Sequence, residues 1–214
     1  EKAGNIYTWD KHFESGEKLE DVIQQIVSRS NRRVNESTPI VDASLSDGSR
    51  VNVVLGPVAI NGPILTIRKF PESKIQMSQL IQWGSLTEEA AAFLKELVEA
   101  GYNIFVSGAT SSGKTTFLNV LADYIPASSR VITIEDTAEL QLKSIENLVR
   151  LEVKQTGEDD GRDITIRDLI KTALRMRPSR IIIGEVRGRE AGDFLTCLNT
   201  GHEGSLGTVH TNSA

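Results

Sequence analysis

Cysteine is nearly missing from this chain: Cys197 is the only one in 214 residues. A single thiol cannot close an internal disulfide, which fits a reducing compartment and leaves a hydrophobic core to hold the fold. Cys197 reads as a small apolar residue on a helix, with no function assigned. Aromatic residues make up 5% of the chain, which weakens the case for a platform on which single-stranded nucleic acid would stack. Positive charge is not in excess either. The net charge of −5 argues against a nucleic-acid-coating surface, and no direct nucleic-acid binding is expected. No run approaches the roughly 18 apolar residues of a membrane span. The first residues, Glu1, Lys2, Ala3, Gly4 and Asn5, lack the apolar core of a signal peptide. No cysteine or histidine spacing suggests zinc, and repeats and low-complexity tracts are missing. What remains is a soluble, globular chain expected to stay in the cytoplasm, with 39% hydrophobic content for a core in one large domain or two small ones.

Two patterns divide the chain. In residues 17–30, Leu19, Val22, Ile23, Ile26 and Val27 form one stripe at helical spacing. Short strands are expected at 39–45, 50–55 and 64–70, separated by the turn signals Ser46-Asp47-Gly48 and Asn61-Gly62-Pro63. A second helix, 87–100, has Ala90, Phe93, Leu94, Leu97 and Val98 in register, with Ser85 or Thr87 as N-cap and Gly101 as its stop. Strands and helices then alternate: strands at 103–107, 131–134, 148–153, 180–183 and 206–210, with helices between them at 116–124, 165–176 and before 206. That alternation predicts a mainly parallel sheet covered by helices. The expected division is a small α+β domain over 1–75, a linker over 76–88 and an α/β domain over 89–214. Residues 155–163 read as a loop.

The residues from Gly108 to Thr115, namely Gly108, Ala109, Thr110, Ser111, Ser112, Gly113, Lys114 and Thr115, fit G-x-x-x-x-G-K-[ST] between a strand and a helix. Its glycines let backbone wrap a phosphate, while amide N–H groups and the following helix N-terminus, from Lys114 through Thr116, point at it. Lys114 can bridge the outer phosphates and Thr115 can ligate magnesium. Four fixed positions recur by accident in roughly 1% of chains this long, so a nucleoside triphosphate and Mg2+ are the expected ligands.

Hydrolysis also needs a carboxylate on the magnesium side, a group to deprotonate water, and positive charge for the transition state. Arg180 to Glu185 reads as a buried strand ending in an acid, and Glu185 is expected to act on magnesium through water. Val131 to Glu139 is a second strand ending in three acids, Glu135, Asp136 and Glu139, one of which is the candidate general base. His202 and His210 lie in a glycine-rich stretch around the last strand. Such sheets bind ligands at their C-terminal ends, so His210 and, less directly, His202 are candidates for phosphate contact.

Read together and in order, these segments resemble the secretion and type IV pilus ATPases, RecA-like hexameric motors. The phosphate loop at 108–115, the acidic box from Ile134 to Glu139, the second nucleotide motif from Ile183 to Gly188, and the histidine box from Thr200 through His210 carry the likeness. The wording at 174–178 and 184–191 is similar to the CpaF branch, which drives tight-adherence (Flp) pili, and to type IV secretion ATPases. Ser179 departs from that branch, which usually has aspartate there. The resemblance implies ATP hydrolysis with Mg2+, Glu139 as the preferred base with Glu135 behind it, and Glu185 as the magnesium-side acid. It makes His210 a sensor, and Arg50 and Arg68 of the first domain contacts to the γ-phosphate. It implies a homo-hexamer on inner-membrane platform proteins at the cytoplasmic face of the membrane, and a RecA-like core that family members extend beyond Ala214. Two alternatives stay open: a type IV secretion ATPase moving protein or DNA, and a nucleotide-binding regulatory subunit that does not hydrolyse.

Overall fold

A computed structural model describes residues 5–30, 32–69, 74–154, 162–188, 190–199 and 201–211. The chain divides into two compact units, residues 1–70 and 71–214.

The smaller unit begins with helix α1, Gly16–Ser28, capped where the Ser15 hydroxyl accepts the Lys18 N–H at 3.2 Å. Strands β1 (Ile40–Ser44), β2 (Arg50–Val54) and β3 (Ile64–Arg68) follow as an antiparallel meander. The β1–β2 turn is set by Asp47, whose carboxylate accepts the Ser49 N–H at 2.9 Å, and by Gly48 at φ 84°. Alternation along the strands sends Val41, Ala43, Val51, Val53 and Leu65 into a core with Ile23, Val27 and Val34. The opposite face presents Asp42, Arg50, Asn52, Thr66 and Arg68. Phe70, at the expected end of β3, lies outside the described residues.

The larger unit opens with a helix that periodicity did not reveal, α2 (Met77–Gln82), inside the stretch expected to be a linker. A capping box between Gln76 and Gln79 starts it, and Met77, Leu80 and Ile81 pack into the core beside Ile75. Six residues are too few for a stripe to stand out. Helix α3 (Glu88–Glu99) follows, capped by Thr87 and stopped by Gly101 at φ 82°. Its buried face is Ala91, Leu94 and Val98, while Phe93, expected on the stripe, is exposed.

The remaining elements are β4 (Ile104–Gly108), α4 (Lys114–Ala122), β5 (Arg130–Glu135), β6 (Asn147–Glu152), α5 (Ile166–Ala173), β7 (Arg180–Val186), α6 (Glu190–Leu198) and β8 (Leu206–His210). The five strands form one sheet in the order β4-β8-β7-β5-β6, with every pairing parallel. Successive residues of the central strands serve opposite layers. Val131 and Ile182 pack with α3 and α4, whereas Ile132, Ile134, Ile181 and Ile183 pack with α5 and α6. Strands buried on both faces must be apolar throughout, which is why β7 reads as a run of isoleucines. The expected helix 165–176 ends earlier: α5 tightens to a 3-10 turn at Leu174–Met176, and Arg177 turns left-handed at φ 52° before Pro178. Of the expected loop 155–163, residues 155–161 lie outside the described residues. Cys197 is buried on α6, and burial pushes its thiol up to about 11.

Candidate functional site

The phosphate loop leaves the sheet at the end of β4 and enters α4 at Lys114. Two of its residues take left-handed backbone, Ser111 at φ 61° and Gly113 at φ 89°. Gly108 has a separate reason to be glycine: a Cβ there would lie 2.7 Å from the Ser112 hydroxyl oxygen. The Lys114 side chain is largely buried and arches back to donate from Nζ to the Ala109 carbonyl at 2.8 Å. Thr115 and Thr116 stand half-buried in the first turn of α4, whose leading N–H groups have no intrahelical acceptor. A loop closed tightly at Gly108 and rimmed by Lys114 and a helix N-terminus fits a chain of phosphates.

The neighbouring strand ends crowd this loop. His210 pairs with Gly108 in the β4–β8 register, and Thr211 donates its N–H to the Gly108 carbonyl at 3.3 Å. Glu185 lies on an irregular stretch of β7, where the register with β8 shifts between Ile183 and Val186 and Thr208 Oγ1 donates to the Gly184 carbonyl at 2.6 Å. Its Oε1 is 3.7 Å from His210 Nδ1, and its Oε2 accepts from Arg187 Nη2 at 2.6 Å. The Arg187 bond, followed by the charges of Arg187, Lys114 and His210, holds the Glu185 carboxyl below its ordinary value, so it is ionised at neutral pH.

The three acids after β5 separate into different environments. Glu135 is 2% exposed; its Oε2 accepts the backbone N–H of Glu139 at 2.6 Å and of Leu140 at 2.8 Å, while Oε1 is buried without a hydrogen-bond partner. Burial pushes its carboxyl up, against the pull of those two N–H groups. Gly184 makes room for it, since a Cβ there would sit 3.1 Å from Glu135 Cγ. Asp136 is exposed and Glu139 half-buried. Among the described residues, no group of three or more histidine, cysteine, aspartate or glutamate side chains could hold a metal. Thr115 and Glu185 are the residues placed to hold Mg2+ together with phosphate oxygens and water, the usual way this ion is held.

The family model for type II/IV secretion system proteins matches residues 1–214. The chain belongs to that family. An uncharacterized protein of Methanocaldococcus jannaschii is 42% identical over 195 residues, covering 88% of this chain and 27% of the relative. Among solved structures, the VirB11 ATPase of the Brucella suis type IV secretion system aligns with 30% identity and a TM-score of 0.53 over 93% of this chain and 66% of that one. The pilus retraction motor PilT with bound ADP aligns with 28% identity and a TM-score of 0.60 over 82% of this chain and 48% of that one. The chain thus spans between about a quarter and two thirds of the length of these relatives. The larger unit is the RecA-like core of this secretion family.

Within that family core, the 108–116 loop, Glu185 and His210 lie along one edge of the sheet. His202 does not. It precedes β8 and sits at the strand's other end, where Nδ1 lies 3.3 Å from the Cys197 carbonyl and its own carbonyl accepts the Ser205 hydroxyl at 2.8 Å. The five residues of β8 separate the two histidines by about 13 Å of strand, so a phosphate contact from His202 has no geometric support. In the smaller unit Arg50 and Arg68 pair directly across β2 and β3 on one face. Sequence reasoning passed over Arg187, which holds Glu185, and Asn119 on α4. Asn119 accepts the Gln141 N–H at 2.8 Å and reaches the Glu139 carbonyl at 3.4 Å. An arginine two residues after the acid of β7 was a readable signal, whereas an asparagine inside a helix was not.

Proposed function

We propose that this chain is the nucleotide-hydrolysing part of a motor that powers pilus assembly or protein secretion. The observation that carries the reading is the gathering of the phosphate loop, Glu185 and His210 at one edge of the RecA-like sheet, with the Glu139 turn anchored to the phosphate-loop helix. Loop N–H groups and Lys114 bind the phosphates of ATP. Thr115 and Glu185 would hold Mg2+, which would supply neutralising charge to the phosphates. Glu139 takes the proton of the attacking water, and His210, next to Glu185, senses the terminal phosphate. Arg50 and Arg68 bring positive charge when the domains close, from the same or a neighbouring subunit, so that bound triphosphate is coupled to rigid-body motion.

The working form is a homo-hexamer at the cytoplasmic face of the inner membrane, against platform proteins of the pilus or secretion system. No described helix is long and apolar enough to cross a membrane. The parts that move are an N-terminal domain over 1–75 and the ATPase domain over 89–214, and residues 76–88 join them with α2 packed on the ATPase core. The wording around Arg175 and Glu185 supports the CpaF branch of tight-adherence pilus motors, and the likeness to VirB11 favours a type IV secretion ATPase as the second reading.

The test is phosphate release, with ATP against GTP, by the protein extended to the length of its relatives and shown to be a ring by mass. Release that disappears in Lys114→Ala and Glu139→Gln supports the motor. An assembled ring that binds nucleotide and releases none is a regulatory subunit, and the enzyme reading then fails.

A further inference from the structure

We infer that Asn119 and Glu135 are positioning residues that grip the turn carrying Glu139 from its two sides and hold the general base over the phosphate-loop helix; this rests on the reading of Glu139 as base. Residues 136–146 contain no helix or strand. Holding each such residue in one backbone conformation costs conformational entropy, so a catalytic side chain there requires explicit tethers.

The tethers converge on Glu139 and the two residues after it. On the sheet side, Glu135 Oε2 accepts the N–H of Glu139 and of Leu140. On the helix side, one amide does two jobs: Asn119 Nδ2 donates to the Glu139 carbonyl, and Asn119 Oδ1 accepts the Gln141 N–H. The peptide units on both sides of Glu139 are therefore held by side chains from β5 and α4. Glu135 is buried against Gly184. Asn119 lies on the helix whose first turn is Lys114, Thr115 and Thr116. Lys74 adds a third tie, donating from Nζ to the Gln141 carbonyl at 2.9 Å. Leu140, Leu142 and Leu118 anchor the turn and α4 in one core. The base is thereby referenced to the element that binds the phosphates, so the two cannot drift apart. A misplacement near 1 Å can lower a rate about 100-fold.

Glu135 is unsuited to be the base itself. One oxygen is committed to two N–H groups and the other is buried away from the surface.

Two measurements test the inference. Amide hydrogen exchange on this chain reads the grip directly: Glu135→Ala and Asn119→Ala should each speed exchange at residues 139–141 by about 10-fold or more. In the turnover assay both should lower kcat about 10- to 100-fold with KM within about threefold. Glu135→Gln should recover turnover to within about threefold of the parent, because its amide oxygen accepts the same two N–H groups. Asn119→Asp, which keeps the acceptor and loses the donor, is the milder variant to use if the alanine does not fold, and it should show the same signs. Unchanged exchange in the variants overturns the inference. So does a Gln variant as slow as the Ala one, or a fall in nucleotide affinity parallel to kcat. A Glu139→Gln protein that still turns over sinks the base assignment alone, since the exchange result stands without it.

Discussion

Gly207 and Gly192 should respond to the same substitution with opposite signs. Gly207 is the second residue of β8, paired with Phe105 of β4 and Ile183 of β7. A Cβ there would lie 2.9 Å from Phe194 Cε1 and 3.6 Å from the Ile183 carbonyl oxygen. Phe194 cannot step aside easily: it is 1% exposed and meets Phe105 edge-on, with ring centroids 5.4 Å apart. Overpacking of this kind costs about 1–3 kcal/mol, against a gain of roughly 0.5–1 kcal/mol from removing a strand glycine. The net expectation for Gly207→Ala is a loss near 1–2 kcal/mol, or about 2–8 °C in melting temperature for a chain of this size. Gly192 lies inside α6 with nothing within 4 Å of its would-be Cβ. Gly192→Ala should therefore stabilise by roughly 0.5–1 kcal/mol through helix propensity. Thermal and urea unfolding followed by circular dichroism read both. Phe194→Leu placed in the Gly207→Ala background should lose less than the sum of the two single changes, by about 1 kcal/mol, because the leucine vacates the space the methyl needs. A Gly207→Ala protein at or above the parent's stability, a Gly192→Ala protein below it, or strict additivity of the pair would refute the packing argument.

Three further outcomes are expected. Gly108→Ala should weaken binding of a fluorescent nucleotide at least about 10-fold, and Gly108→Ala with Ser112→Ala should recover most of it, since the obstructing atom is the Ser112 hydroxyl. Glu135 has its carboxyl pushed above its ordinary value of 4.5, so the folded state holds that proton more tightly than the unfolded one. The parent should then lose stability relative to Glu135→Gln as pH rises from the ordinary glutamate range through the raised value, with the gap smallest near pH 4 in pH-stepped urea titrations. For Glu185 the sign reverses: its lowered carboxyl adds stability above about pH 4.5 that disappears on acidification. Arg187→Ala should raise the Glu185 pKa seen by carbonyl NMR and shrink that contribution.

The parts legible in the sequence are those whose physics is local. A phosphate loop is a contiguous constraint, with Gly108 and Gly113 spaced by the turn itself, and β7 announces its burial on both faces through Ile181, Ile182 and Ile183. The α1 stripe and the Thr87 cap were readable for the same reason. What was not legible depends on contacts far apart in the chain. Asn119 and Gln141 meet across a separation of 22 residues, and Glu135 finds its space because Gly184, on another strand, has no side chain. Phe93 fits the helical stripe but faces outward, because α3 is covered over a narrower arc than its apolar residues span. His202 and His210 share a glycine-rich box, and the direction of β8 puts them at opposite ends of the strand.

Strand order explains why the base would come from a turn and not from a strand end. The sheet runs β4-β8-β7-β5-β6, so the phosphate loop at the end of β4 has β8 and β7 beside it and β5 three places away. At about 4.8 Å per strand, the end of β5 is roughly 14 Å from the end of β4. His210 and Glu185, on the intervening strands, reach the loop's neighbourhood from their own strand ends, and they lie within 3.7 Å of each other. Glu135, at the last residue of β5, cannot cover the remaining distance with one side chain. Its carboxylate instead turns onto the backbone that follows it. That backbone runs to α4, whose Asn119 receives it. The backbone four residues beyond the strand is thus brought back to the phosphate-loop helix by the same turn that the strand-end acid secures, which puts Glu135 and Glu139 in distinct environments from a single topological fact.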